Sequence, residues 1–131
     1  MKQPHVTRSK GFDMHEIESS QIKRWWEGNK ASDTITFKLP ASKEITLFVY
    51  QLTDGMGMVD VVIDGNETGI VVDGWYSGFD WLPKSRGYTR AISVTPDPLY
   101  HDEHELTLVI RNESNSPDGS HKFQIASFAC V

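Results

Sequence analysis

The chain carries one cysteine, Cys130, so no intramolecular disulfide can staple it and the fold has to rest on a packed core. Cys130 follows Ala126, Phe128 and Ala129 and reads as a half-buried structural thiol. Positive charge is also short: 13 Lys and Arg stand against 18 Asp and Glu, for a net charge of −5. Sequence-independent binding of nucleic acid needs a basic surface that displaces phosphate counterions. The basic runs here, Lys23-Arg24 and Lys84 with Arg86, are isolated. Nucleic acid is therefore excluded as a partner, and an anionic membrane surface is disfavoured for the same reason. No apolar stretch approaches the roughly 18–20 residues of a membrane span. The first ten residues are polar and basic and lack the apolar core of a signal peptide. The compartment stays open between an intracellular protein and a domain of a larger secreted or cell-surface one. Two sequons, Asn66-Glu67-Thr68 and Asn112-Glu113-Ser114, do not decide it, because the tripeptide is common by chance.

Catalytic signatures are missing as well. There is no Gly-x-Ser-x-Gly elbow, and Asp118-Gly119-Ser120 lies in a late polar loop without strand-turn-helix context. Asp73, Asp80 and Glu27 sit near aromatics and invite a comparison with paired glycosidase carboxylates, but turn-capping or ligand-bonding acids are the simpler reading. No residue is assigned a catalytic role. His101-Asp102-Glu103-His104 lies between Pro98 and a strand, which favours a turn over a helical metal site. We read His104 as opening the strand and its neighbours as solvated. No metal ligands and no cofactor are expected. A structural calcium is compatible with a sandwich of this size, although no calcium-loop pattern occurs.

What the chain does have is short β-type segments punctuated by turns. Ile35, Phe37 and Leu39 alternate within Thr34 to Leu39, and Ile45, Leu47 and Val49 alternate within Glu44 to Leu52, across a Pro-Ala-Ser-Lys turn. Met58 to Ile63 and Thr68 to Val72 flank Asp64-Gly65-Asn66, a tight-turn signal for a hairpin. Tyr88 to Val94, Glu105 to Ile110 and Lys122 to Cys130 complete the set, the last with a bulge expected between Ile125 and Phe128. Phe12 to Ile17 and Ile22 to Trp26 fit strands or a short helical turn. Seven to nine strands without a long amphipathic helix predict an all-β fold, an antiparallel β-sandwich of the jelly-roll type. At 131 residues the chain fits one domain. We place it at 11–131, with 1–10 a disordered or extended N-terminal segment.

The aromatic inventory is the positive functional signal: four Trp, four Tyr and six Phe. Neighbours on a strand point to opposite faces, so of Trp25 and Trp26 one is expected in the core and the other outside. Residues 74–87 hold Trp75, Tyr76, Phe79 and Trp81 among three glycines and a proline, with no period, and read as a long loop. Asp73, Asp80 and Arg86 accompany them. Aromatic faces match the C–H patches of a sugar ring, and carboxylates and guanidinium groups match its hydroxyls. Trp75, Tyr76, Phe79, Trp81, Asp73, Asp80, Arg86, Trp25 and Trp26 are therefore the candidate carbohydrate contacts. The competing reading is that the loop aromatics fold back as a plug over the open end of the sandwich.

Several strings in order strengthen the carbohydrate reading. They are Arg24-Trp25-Trp26-Glu27-Gly28, Asp33-Thr34-Ile35-Thr36-Phe37, Val59-Asp60-Val61-Val62-Ile63-Asp64-Gly65, and Val71-Val72-Asp73 with the aromatics after it. Gly87-Tyr88-Thr89-Arg90, His104-Glu105-Leu106-Thr107-Leu108 and Lys122-Phe123-Gln124-Ile125 follow. From about Gly11 to the C-terminus this set resembles the galactose-binding-like jelly-roll accessory domains that accompany SGNH/GDSL-type esterases and other carbohydrate-active proteins. The resemblance implies a non-catalytic module directed at carbohydrate, with catalysis on a separate domain of the parent protein. The alternative is an interaction or structural domain that uses the same aromatic surface against a catalytic domain or a second copy, since protein interfaces favour the same residues.

Overall fold

A computed structural model describes residues 5–18, 22–52, 55–76 and 88–131. They form ten strands: β1 (His5–Lys10), β2 (Asp13–Glu18), β3 (Ile22–Gly28), β4 (Thr34–Ser42), β5 (Ile45–Gln51), β6 (Met58–Ile63), β7 (Asn66–Asp73), β8 (Tyr88–Ser93), β9 (Asp102–Ile110) and β10 (Phe123–Cys130). Two antiparallel five-stranded sheets result, one in the order β1-β4-β9-β6-β7 and the other β2-β3-β10-β5-β8. This is the expected all-β sandwich, with ten strands where seven to nine were counted. Among the described residues no helix is long and apolar enough to cross a membrane.

The alternating segments bury one face each. Ile45, Leu47 and Val49 of β5 are fully buried, as are Phe37 of β4 and Leu106, Leu108 and Ile110 of β9. Burial at this period removes about 2 kcal/mol worth of apolar surface from water per large side chain, which is what holds the sheets face to face. Aromatic edges join them: Trp26 of β3 meets Phe37 with centroids 5.0 Å apart, and Phe37 meets Phe128 of β10 at 4.7 Å. The bulge expected near the C-terminus lies between Ile125 and Ser127, opposite β5. It puts Phe123 and Ile125 on the core side and returns Phe128 to that side one residue late.

Two stretches take one of the forms the sequence left open, and one turn falls later than read, each for a physical reason. Residues 5–10 form β1, paired along β4, although all six side chains are exposed. Backbone pairing, with no apolar stripe, makes it a strand. Phe12 to Ile17 and Ile22 to Trp26 are strands and not helical, because they pair with each other from Asp13↔Glu27 to Glu18↔Ile22. The turn after Leu39 starts later than read: β4 runs through Pro40 to Ser42, with an irregular register against β9 between Leu39 and Ser42. A proline lacks the ladder N–H, so it is tolerated at such an irregularity. The β6–β7 turn is as read, with Asp64 at φ 52° and Gly65 at φ 78°, the two left-handed residues a tight hairpin needs.

His104 is the one buried histidine among the described residues, and it joins three elements at this end of the sandwich. Its Nδ1 lies 2.6 Å from Asp64 Oδ2 in the β6–β7 turn. Its Nε2 lies 3.0 Å from the Ser42 carbonyl and 2.9 Å from the Tyr100 carbonyl. Asp64 Oδ1 in turn accepts the Glu105 N–H at 2.8 Å. Every neighbour of the imidazole nitrogens is an acceptor, so both nitrogens are satisfied only as donors, in the charged ring. Burial opposes the charge, but the Asp64 carboxylate and the two carbonyls outweigh it and raise the pKa above its usual 6.5. His101, Asp102 and Glu103 are exposed, as read.

The sign of the linkage follows. A raised histidine pKa contributes stability that is complete below the unfolded value and is lost as pH climbs through the folded one. Denaturant unfolding followed from about pH 5.5 to about pH 9 should show stability falling across this upper window. His104→Gln should lower the starting stability and flatten that fall. An equal slope in parent and variant would assign the pH dependence elsewhere.

Candidate functional site

The period of two that buries Trp26 sends Trp25 to the outer face of the β2-β3-β10-β5-β8 sheet. Trp26 is half-buried against the core and is withdrawn from the candidate contacts: it is a sheet-packing residue. Trp25 is not openly exposed either, at 9%. His15, its register partner on β2, stacks on it with centroids 5.6 Å apart and planes 14° from parallel. Tyr50 of β5 meets it edge-on at 6.5 Å and 89°. That contact spans β10, where the bulged residue is Ala126. A methyl there leaves the two rings room to meet.

One row along, Glu27, Gln124 and Tyr50 lie opposite one another on β3, β10 and β5. Glu27 Oε1 accepts the Gln124 Nε2 hydrogen at 2.6 Å and the Trp25 indole N–H at 3.2 Å. Its Oε2 is 3.9 Å from His15 Nε2. Burial alone would raise the Glu27 pKa. The donors Gln124 and Trp25, with the charges of His15 and Lys122, overcome it and hold the carboxyl below its usual 4.5. Glu27 is thus an ionised acceptor at neutral pH, locked in orientation by the indole. Burial raises the Tyr50 phenol above 10.0, so its hydroxyl keeps its proton. The outcome is three rings and a carboxylate–amide pair on a rigid sheet face, half-buried and open to one side.

The face runs on to the loop end of the sandwich. Just past β5, the Leu52 N–H donates to the Gly74 carbonyl at 3.1 Å, and the Tyr76 N–H to the Leu52 carbonyl at 3.3 Å. Trp75 bridges Leu52 in parallel, so the start of the aromatic loop is annexed to the β5 end of this sheet. Trp75 and Tyr76 are half-buried. Asp73 caps the turn: Oδ1 accepts the Trp75 N–H at 2.9 Å, and Oδ2 accepts from Asn115 Nδ2 at 2.8 Å. Gln51 Nε2, buried beneath, donates to the Asp73 carbonyl at 2.8 Å. Gly57 is required here, since a Cβ would stand 2.7 Å from the His121 backbone. Its N–H donates to the Lys122 carbonyl at 2.7 Å, clamping the 55–57 and 120–122 segments together. Beside them Asn29, Gly55, Ser120, His121 and Lys122 line an open polar cleft of about 350 Å³.

Of the sequence-predicted contacts, Trp25, Trp75, Tyr76 and Asp73 are brought to this face and its rim. Phe79, Asp80, Trp81 and Arg86 lie outside the described residues. His15, Tyr50, Gln124 and Asn115 were not picked out, and Glu27 was weighed only as an acid near aromatics. The alternation of β5 already sends Tyr50 outward, but only strand register shows that it meets Trp25. Among the described residues no three His, Cys, Asp or Glu side chains gather as a metal set. In the late polar loop the Ser116 hydroxyl donates to Asp118 Oδ1 at 2.7 Å and the Ser120 N–H to the same oxygen at 3.0 Å, while Ser116 Oγ accepts the Gly55 N–H at 3.2 Å.

Trp25→Ala should cost about 3 kcal/mol in denaturant unfolding, as for large aromatics stripped from a packed site. It should also shift the His15 ring protons downfield in NMR, because the stacked indole no longer shields them. An unchanged His15 resonance would mean that the stack does not persist in solution.

No family model matches the chain, and no curated protein matches it. Solved structures do match. A Paenibacillus xanthan lyase superposes with a TM-score of 0.60 at 18% identity over 96% of this chain and 12% of its own. A two-domain esterase active on acetylated mannans, co-crystallized with mannopentaose, gives 0.59 at 16% identity over 95% of this chain and 34% of its own. A β-1,3-glucan binding CBM6 from Bacillus halodurans gives 0.57 at 10% identity over 98% of this chain and 94% of its own. The chain thus spans about an eighth of the lyase and a third of the esterase, and nearly the whole of the glucan-binding module. At these identities the likeness is one of fold: the chain shares the two-sheet β-sandwich of these structures.

Proposed function

We propose that this domain is a non-catalytic carbohydrate-binding module that takes a neutral glycan on the outer face of the β2-β3-β10-β5-β8 sheet. The observation that carries the reading is the array of Trp25, His15 and Tyr50 rings beside the fixed Glu27–Gln124 pair. A pyranose offers C–H patches to such rings and hydroxyls to such acceptors and amides. In this arrangement Tyr50 and His15 form the stacking surface, Trp25 is its floor, and Glu27 and Gln124 receive and donate hydroxyl hydrogen bonds. Trp75 and Tyr76 extend the surface at the rim, and Phe79, Asp80, Trp81 and Arg86, which follow in sequence, remain candidate contacts. The excess of acidic over basic residues favours uncharged sugars over uronic acids.

Two kinds of neighbour support the reading. One is a β-1,3-glucan binding module of nearly the same extent. The others are a lyase and an esterase in which this fold makes up a minor share of the chain. We extend the proposal accordingly: the module accompanies a catalytic domain in a secreted or cell-surface parent protein, and contributes attachment while that domain carries the chemistry.

Calorimetric titration against a panel that includes β-1,3-gluco-oligosaccharides and mannopentaose tests this. A selective ligand is expected, and Tyr50→Ala or Trp75→Ala should weaken it about tenfold, since an aromatic stacking partner contributes about 1–1.5 kcal/mol. Circular dichroism should leave both variants folded. A panel with no binder, or a binder indifferent to both substitutions, would contradict the reading or the site respectively.

A further inference from the structure

The end of the sandwich opposite the aromatic rim has its own cavities. At one end of β6, Met58 pairs with Asp73, next to Trp75; at the other, Ile63 pairs with Asn66 in the β6–β7 hairpin. Six strand residues separate these ends by roughly 17 Å, more than one sugar ring can span. Around the hairpin and the segment from Val94 to Tyr100 lie two adjoining cavities of about 270 Å³ and about 430 Å³. They share Asp64 and Leu99 and so lie side by side, the pair making up the far groove. Its size suits a small polar ligand, for which sites run roughly 300–1,000 Å³.

Tyr100 stands at the wall of this groove, 93% exposed. Its backbone is fixed. The Tyr100 carbonyl faces the buried His104 Nε2 at 2.9 Å, and the Leu99 N–H donates to the Lys43 carbonyl at 2.8 Å. Pro96 and Pro98 stiffen the approach. A bare ring on a rigid segment suits stacking, because little conformational freedom is lost when a ligand covers it. The polar lining matches hydroxyls. Glu67 and Asp97 have no side-chain partner among the described residues and offer carboxylate acceptors. Asn66 adds an amide, the Thr68 hydroxyl being committed to the Val61 carbonyl and the Ile70 N–H, and Leu99 and Ile70 provide apolar floor. Among the described residues no lysine or arginine lines either cavity, and the charged His104 ring is already paired with Asp64, so the lining disfavours an acidic sugar.

We infer that this far groove is a second binding site for a neutral pyranose, with Tyr100 as its stacking wall and Glu67 and Asp97 as hydroxyl acceptors. The inference rests on the carbohydrate-binding reading above and deepens it. Sites at both ends of one rigid sandwich let a single module hold two chains, or one chain at two points, and gain avidity without new contacts.

The test is an NMR titration of the ¹⁵N-labelled full chain with β-1,3-glucopentaose and with mannopentaose. Two groups of amides should move and saturate separately: Glu27, Tyr50 and Gln124 on the sheet face, and Glu67, Asp97, Leu99 and Tyr100 in the far groove. Tyr100→Ala, an exposed position, should keep the spectrum folded, leave the first group's affinity unchanged, and weaken the second group's response about tenfold. Movement of the sheet-face amides alone would overturn the second site and leave the module reading standing. Silence of both groups with both sugars would bring down the two together. Far-groove shifts that track protein concentration without sugar would show self-association there and also overturn the inference.

Discussion

The strand period of two governs this molecule: each core strand must spend one face on the core and show the other. Nowhere is this sharper than at Trp25 and Trp26, adjacent in sequence and opposite in duty. Trp26 packs on Phe37 and joins the sheets, while Trp25 floors the outer platform between His15 and Tyr50. The same rule runs along β5, where Ile45, Leu47 and Val49 are buried and Phe48 and Tyr50 are half-exposed. A one-residue slip of either strand would exchange core and platform together. The bulge in β10 is the local exception, and it sets the small Ala126 between Trp25 and Tyr50.

Rigidity of the platform follows from its polar members. Glu27 is a half-buried carboxylate, costly to hold unless its lone pairs are filled. Gln124 and the Trp25 indole fill them, so one carboxylate fixes an amide and a ring at once. The far end uses the same device in a stronger form, with His104 facing three acceptors from three elements. The platform and the far end are thus both held on preset backbones, so a ligand at either would meet a low ordering cost.

The fold was readable where alternation is clean. β5 and β9 announce themselves through Ile45, Leu47 and Val49 and through Leu106, Leu108 and Ile110. β1 was not, because His5 to Lys10 has no apolar face and becomes a strand only through β4. Pro40 was misleading, since a proline usually ends a strand and here occupies an irregular register. For the platform, the split of the two tryptophans was readable, but its partners were not. His15 and Gln124 meet beside Trp25 only because β2, β3 and β10 lie side by side. His104 read as an ordinary strand opening for the same reason: its carboxylate, Asp64, lies 40 residues away.

The central claim is that the outer sheet face is where a sugar lies. Intermolecular NOEs between a bound oligosaccharide and the side chains of the ¹³C-labelled protein test it most directly. The account predicts contacts from sugar ring protons to the Tyr50 and His15 rings and to the Gln124 side chain. A bound sugar whose contacts all fall elsewhere, with these three side chains silent, would contradict it.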